Sequence, residues 1–171
     1  LNDALVALAE RVARDLPHVT LTFAAGKRDY DRTAANLKGS AAAGCPRVSL
    51  LDYIYDMPVR MAAADLVVSR AGAMTVSELS LLGKAAVLVP SPYVADNHQL
   101  RNAQALVRAG AGVCVEEDGL PGGALERAVL PLLAQSAERA AMGQRLQEGF
   151  ACPDANERLC VELLRLARGQ A

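Results

Sequence analysis

The run Asp65-Leu66-Val67-Val68-Ser69-Arg70-Ala71-Gly72-Ala73-Met74-Thr75-Val76-Ser77-Glu78-Leu79 decides how the rest of the chain is read. It opens on an apolar, β-branched segment, Asp65–Val68, of the kind that forms a buried strand. A turn of small residues follows, and Gly72 to Leu82 then reads as a helix. A buried strand running into a helix through such a turn is the unit from which parallel α/β sheets are assembled.

Outward from this unit the same alternation continues in both directions. On the N-terminal side, Leu1 to Asp15 has apolar residues at helical spacing (Leu5, Leu8, Ala9, Val12), and Pro17 follows its end. His18–Ala24 reads as a strand, Arg28 to Ala41 as a polar helix, Arg47–Leu51 as a short strand and Asp56 to Ala64 as a brief helix. On the C-terminal side, Ala85–Val89 is an apolar strand, and the Pro90–Asn97 loop leads into a helix reaching about Ala109. A strand at Gly112–Val115 and two or three further helices complete the chain, with Pro153 before the last, amphipathic one. The expectation is a single domain, residues 1–171, with a Rossmann-like, doubly wound parallel sheet. Such a sheet usually opens with a strand, whereas this chain opens on a helix, so the first strand is expected to be missing and the chain to be a fragment.

Composition excludes several alternatives. With 52% hydrophobic and 22% charged residues over 171 positions, the chain can bury a core and is not disordered. Its net charge of −1 comes without a block of Lys and Arg, which argues against nucleic acid as a partner. No apolar run approaches the ~20 residues of a membrane span. Cys45, Cys114, Cys152 and Cys160 form no CxxC pair, so reduced thiols are expected rather than disulfides or a zinc site.

In open parallel sheets, ligands sit outside the carboxyl ends of the strands. There, Gly72 flanked by Ala71 and Ala73 lets backbone approach a ligand, and the helix start turns free N–H groups toward it, a site suited to a diphosphate. The competing reading is purely structural: Thr75 and Glu78 have the spacing of a capping box. Glu78 could instead accept from the two hydroxyls of a ribose. A second polar cluster, Asp96-Asn97-His98-Gln99 with Asn102, offers groups that both donate and accept, as a sugar requires, or merely a helix cap. Asp29-Tyr30-Asp31 has the form of a metal-binding DxD, but that motif is loose and a solvated, acidic helix start is the preferred reading, so no metal is expected.

Taken together, the Ser69-to-Leu79 run, the Val-Leu-Val-Pro strand at 87–90 and Asp96-Asn97-His98-Gln99 with Asn102-Ala103 closely resemble the MurG family. These are bacterial transferases that add N-acetylglucosamine to undecaprenyl-pyrophosphoryl-muramoyl-pentapeptide. The likeness also takes in Asp52-Tyr53-Ile54 and the closing Pro153-Asp154-Ala155-Asn156-Glu157-Arg158, nearly the whole chain. It implies the C-terminal, donor-binding half of a GT-B glycosyltransferase, cytoplasmic and peripheral on the membrane as part of the full enzyme. By the resemblance, the Ile54 backbone meets the uracil with Tyr53 beside it, and Gly72, Ala73, Met74, Thr75, Val76 and Ser77 surround the diphosphate. Glu78 then holds the ribose, His98 and Gln99 reach the sugar hydroxyls, and Arg70 and Asn102 support the site. The donor implied is UDP-N-acetylglucosamine, the acceptor is the lipid-linked muramoyl-pentapeptide, and no cofactor is implied. No catalytic residue is assigned, because the family's base is attributed to the other half, toward which the last helix (about 154–168) is expected to pack. Gly83-Lys84 is followed by Ala85 where the family often has Pro, a departure confined to a turn. Three rivals remain: a separate-subunit transferase half, a non-catalytic nucleotide-sugar module, and a sugar-nucleotide epimerase, for which no set of acidic catalytic residues is found.

Overall fold

Short apolar, β-branched runs form strands of two to four residues, and the segments between them with helical periodicity form helices. The computed structural model describes residues 1–168. Its elements alternate: α1 (Asn2–Asp15), β1 (Leu21–Ala24), α2 (Tyr30–Lys38), β2 (Val48–Leu51), α3 (Met57–Ala63), β3 (Val67–Ser69) and α4 (Ala73–Leu82). They continue as β4 (Ala86–Leu88), α5 (His98–Arg108), β5 (Val113–Cys114), α6 (Ala124–Ala134), α7 (Ser136–Phe150) and α8 (Ala155–Ala167). Short 3₁₀ segments at Ala95–Asn97 and Glu117–Gly122 lead into α5 and α6.

Every strand pair is parallel, as the apolar runs predict, but the strands fall into two sheets: β1 with β2, and β3-β4-β5. The split lies between β1 and β3, where the doubly wound order places the first strand. Hydrogen-bond parity shows which backbone groups it leaves open. Leu21 and Ala25 donate to Arg47 and Leu51, at 2.8 and 3.0 Å, so the groups of Thr22 and Ala24 point away from β2. Val67 donates to Ala85 and Ser69 accepts from Val89, at 3.0 and 2.8 Å, so Val68 points away from β4.

Observed strands are shorter than the apolar runs. The strand expected at His18–Ala24 begins only at Leu21, where Arg47 first supplies an acceptor, and the one expected at Asp65–Val68 runs from Val67 to Ser69. Pairing, rather than side-chain type, sets these limits.

Alternate side chains of β4 enter opposite cores. Val87 and Val89 join Leu5, Leu8, Phe23, Leu125 and Val129 on one face, which both sheets share. Ala86 and Leu88 join Leu79, Ala103, Leu106 and Leu146 on the other. Each such Leu or Val contributes about 1.5–3 kcal/mol by leaving water, which favours a strand buried on both faces. On the second face α7 lies directly against the end of α4. Gly83 closes α4 in the left-handed region (φ 59°, ψ 40°), its carbonyl abuts Gly143, and Gln147 Nε2 donates to Leu81 O at 3.2 Å.

Helix α1 shows that both sheets present their carboxyl ends at one rim. At its start, Asn2 Nδ2 donates to Ala25 O just past β1 (3.0 Å), and the Leu1 α-amino group lies 3.7 Å from Glu117, just past β5. At its finish, Arg47, which precedes β2, donates to Val12 O at 2.8 Å. Helix α8 is exposed along its length, including Leu159, Val161, Leu163, Leu164 and Leu166.

Candidate functional site

The most distinctive point of the rim is the passage from β3 to α4. Gly72 is the N-cap, in ordinary extended geometry (φ −67°, ψ 147°), and no side chain caps the helix. The first helical bond runs from Val76 N–H to Gly72 O at 2.9 Å. The N–H groups of Ala73, Met74 and Thr75 therefore have no partner among the described residues and point out of the helix start. This overturns the capping-box alternative: Thr75 lies inside the helix, three residues beyond the true cap, and cannot serve as its N-cap.

Side chains around these free groups divide by environment. Ala73, Met74, Ser77 and Glu78 are exposed, Met74 at 76%, while Val76 packs against the core and its N–H is already bonded. Glu78 sits in the second turn with its carboxylate in no described hydrogen bond or ion pair. The turn is gripped from below. Asn102 Nδ2 donates to Ala71 O at 3.0 Å, and Arg70 donates to Val89 O (3.2 Å), Pro90 O (3.4 Å) and both carboxylate oxygens of Glu117 (2.7 and 3.2 Å). Arg70 and Asn102 are thus spent on protein partners, and Arg70 holds the Glu117 carboxyl below its ordinary range. Glu117 is not among the residues that the sequence marks, since it follows a two-residue strand and stands in a run of three acidic residues.

Past β2, the rim changes character. Asp52 Oδ1 accepts from Tyr53 N–H at 2.8 Å, and the Tyr53 and Tyr55 rings meet edge to face with centroids 5.0 Å apart. Ile54, between them, is half-buried, and its own N–H and C=O are in no described hydrogen bond. A backbone with a free donor and acceptor beside aromatic rings can read the edge of a planar base.

After β4, Asp96 (φ 53°) and Asn97 (φ 49°) both lie in the left-handed region, which costs non-glycine residues about 1 kcal/mol or more. That bend delivers His98 and Gln99 to the rim as the first residues of α5. His98 Nδ1 lies 2.9 Å from Ala95 O, so the ring donates there and leaves Nε2 free to accept. Gln99 Oε1 accepts from Ser91 N–H at 2.9 Å, which leaves its amide NH₂ as a free donor. Beside them a cleft of ≈ 500 Å³ opens between Pro90–Tyr93, Asn97, Leu100 and Glu116–Asp118.

Other sequence candidates are structural. Asp29 precedes α2 and its carbonyl accepts from Thr33, so the Asp29-Tyr30-Asp31 run is a helix start. Among the described residues no group of three His, Cys, Asp or Glu side chains could hold a metal ion. Nor is any described helix long and apolar enough to cross a membrane.

Residues 1–159 match the model of the glycosyltransferase family 28 C-terminal domain. The chain belongs to that family. Among curated relatives, the protein of Acetivibrio thermocellus is 46% identical over 120 residues, covering 70% of this chain and 31% of that one. The protein of Lacticaseibacillus casei is 36% identical over 166 residues, covering 97% of this chain and 44% of its own. Both are named UDP-N-acetylglucosamine–N-acetylmuramyl-(pentapeptide) pyrophosphoryl-undecaprenol N-acetylglucosamine transferase. The crystal structure of Acinetobacter baumannii MurG superposes with a TM-score of 0.73 at 26% identity, covering 95% of this chain and 46% of that one. This family 28 domain therefore spans less than half the length of these relatives, and its α/β architecture is that of the C-terminal half of a GT-B glycosyltransferase.

Proposed function

We propose that this family 28 domain is the donor half of an inverting glycosyltransferase, binding UDP-N-acetylglucosamine for transfer to a lipid-linked muramoyl-pentapeptide. The observation that carries the reading is the uncapped start of α4, three free N–H groups at the carboxyl end of β3 with Gly72 leaving room above them. A helix start of this kind suits a diphosphate, both bound and as a leaving group, because its positive end meets charge that grows as the glycosidic bond breaks. In this reading the Ile54 backbone and Tyr53 take the uracil, Glu78 the ribose, the N–H groups of Ala73 to Thr75 with the exposed Ser77 the diphosphate, and His98 Nε2 with the Gln99 amide the sugar hydroxyls. Arg70 and Asn102 act one step back, by holding the turn.

The proton of the acceptor hydroxyl must also be taken up. No residue of this domain is assigned that task; the base and the acceptor site belong to a partner half, against which the exposed apolar side of α8 packs. Through that half the enzyme works peripherally at the inner face of the membrane.

Calorimetric titration with UDP-N-acetylglucosamine, UDP-glucose, UDP and GDP, repeated on Glu78→Ala, tests the reading. Uridine-selective binding that weakens in the variant is expected. Preference for GDP, or indifference to the loss of Glu78, would remove the assignment.

A further inference from the structure

We infer that Glu117 is a positioning residue for the diphosphate: acting through Arg70, it fixes the Ala71-Gly72 turn and so the aim of the free N–H groups of α4. The inference rests on the donor-binding reading and adds to it a residue in a different element, 39 positions beyond Glu78 in sequence (117 − 78).

The turn has little of its own to hold it. Gly72 has no side chain, and a Cβ built there would meet nothing within 4 Å. Its geometry must be imposed through its neighbours, and there are two such restraints. Asn102 fixes the Ala71 carbonyl from α5. Arg70, one residue earlier, ties the end of β3 to the Val89 and Pro90 carbonyls beyond β4 and to the Glu117 carboxylate beyond β5. One guanidinium thus joins the carboxyl ends of all three strands of this sheet.

Of its acceptors, the carboxylate is the strong one, bidentate and charged, at 2.7 and 3.2 Å; the two carbonyls are neutral, at 3.2 and 3.4 Å. Without the carboxylate, a cation about a third exposed keeps only those weaker bonds and can leave them for water. The α-amino group of Leu1 also faces Glu117, at 3.7 Å, near the outer limit of an ion pair. The pairing also neutralises Arg70 beside the phosphate position, so the inference and a direct phosphate contact by Arg70 make opposite predictions. If Glu117 positions the turn, its removal weakens diphosphate binding. If it merely restrains a phosphate-binding arginine, its removal strengthens it.

The test is titration of wild type, Glu117→Gln and Glu117→Asp with UDP and with uridine, alongside thermal melts. UDP binding is expected to weaken about tenfold in Glu117→Gln, the size of one misaligned charge-assisted hydrogen bond. Glu117→Asp, which keeps the charge on a shorter stem, should fall between. Uridine binding should fall far less than UDP binding, because its base end lies past β2 and it lacks the phosphates that meet the start of α4. Equal loss for UDP and uridine together with a lowered Tm would make the role merely structural and overturn the inference. Tighter UDP binding in Glu117→Gln, or binding equal to wild type, would overturn it too. Wild type that binds no UDP would fell the donor reading itself, and the inference with it.

Discussion

Replacing Gly72 by Ala should leave the fold intact and damage only the ligand site. The backbone there is extended at φ −67° and ψ 147°, open to any residue, and an added Cβ meets no atom within 4 Å. Two small effects on stability oppose each other. Alanine is a poorer N-cap than glycine, costing up to about 1 kcal/mol, while fewer unfolded conformations return about 0.4–1 kcal/mol. The net change is below about 1 kcal/mol, or at most about 2–4 °C in Tm for a chain of this size. Above the helix start, however, the methyl group occupies space that a diphosphate would use to reach the N–H groups of Ala73 to Thr75. Misplacing one charge-assisted bond of about 1.5–3 kcal/mol weakens UDP binding by about tenfold to 150-fold. Paired melts and UDP titrations on wild type and Gly72→Ala would measure both. An unchanged UDP affinity would refute the placement of the diphosphate over Gly72. A Tm lowered by about 10 °C would refute the claim that nothing within the protein requires glycine there.

Gly143→Ala should be strongly destabilising, by about 3 kcal/mol or more and so about 6–12 °C in Tm, since its Cβ would run into the Gly83 carbonyl and neither backbone can yield cheaply. The amides of Thr22, Ala24 and Val68 should exchange with solvent deuterium faster than those of Phe23 and Val87, which are buried and turned toward paired strands; equal protection would mean that β1 and β3 pair in solution. Arg70 lowers the Glu117 carboxyl from its ordinary 4.5, so the pair stabilises the fold above that value and is lost as pH falls through the lower, folded one. The Tm difference between wild type and Glu117→Gln should be greatest at about pH 6 and shrink toward about pH 3; a gap that widens in acid would reverse the sign of this argument.

Much of the architecture was legible because β-branched runs and helical periodicity leave few alternatives over this length. Val87-Leu88-Val89 could hardly be other than a buried strand, and the order of elements followed. Less visible was where each element starts, because that depends on partners distant in sequence. Thr75 and Glu78 have capping-box spacing, yet the cap is Gly72, a register set by where β3 stops pairing with β4. Val76 lies within the run that the resemblance assigns to the site, yet its side chain faces the core. Glu117 carries no motif, and only the folding of Arg70 across two strand ends gives it a role. The division of labour within His98 and Gln99, one ring nitrogen and one amide face each spent on the loop, likewise arises from the left-handed bend at Asp96 and Asn97.

The separation of β1-β2 from β3-β4-β5 bears on how a nucleotide would be spanned. On the proposed reading, the base is read past β2 and the phosphates past β3, one jaw on each sheet. Side-chain packing couples these jaws: Leu5 and Leu8 of α1 and Phe23 of β1 share a core with Val87 of β4 and the adjoining Val89. Packed side chains yield by fractions of an ångström when a neighbour changes volume. The reach from uracil to diphosphate is thus sensitive to the volume of a few core residues far from any ligand.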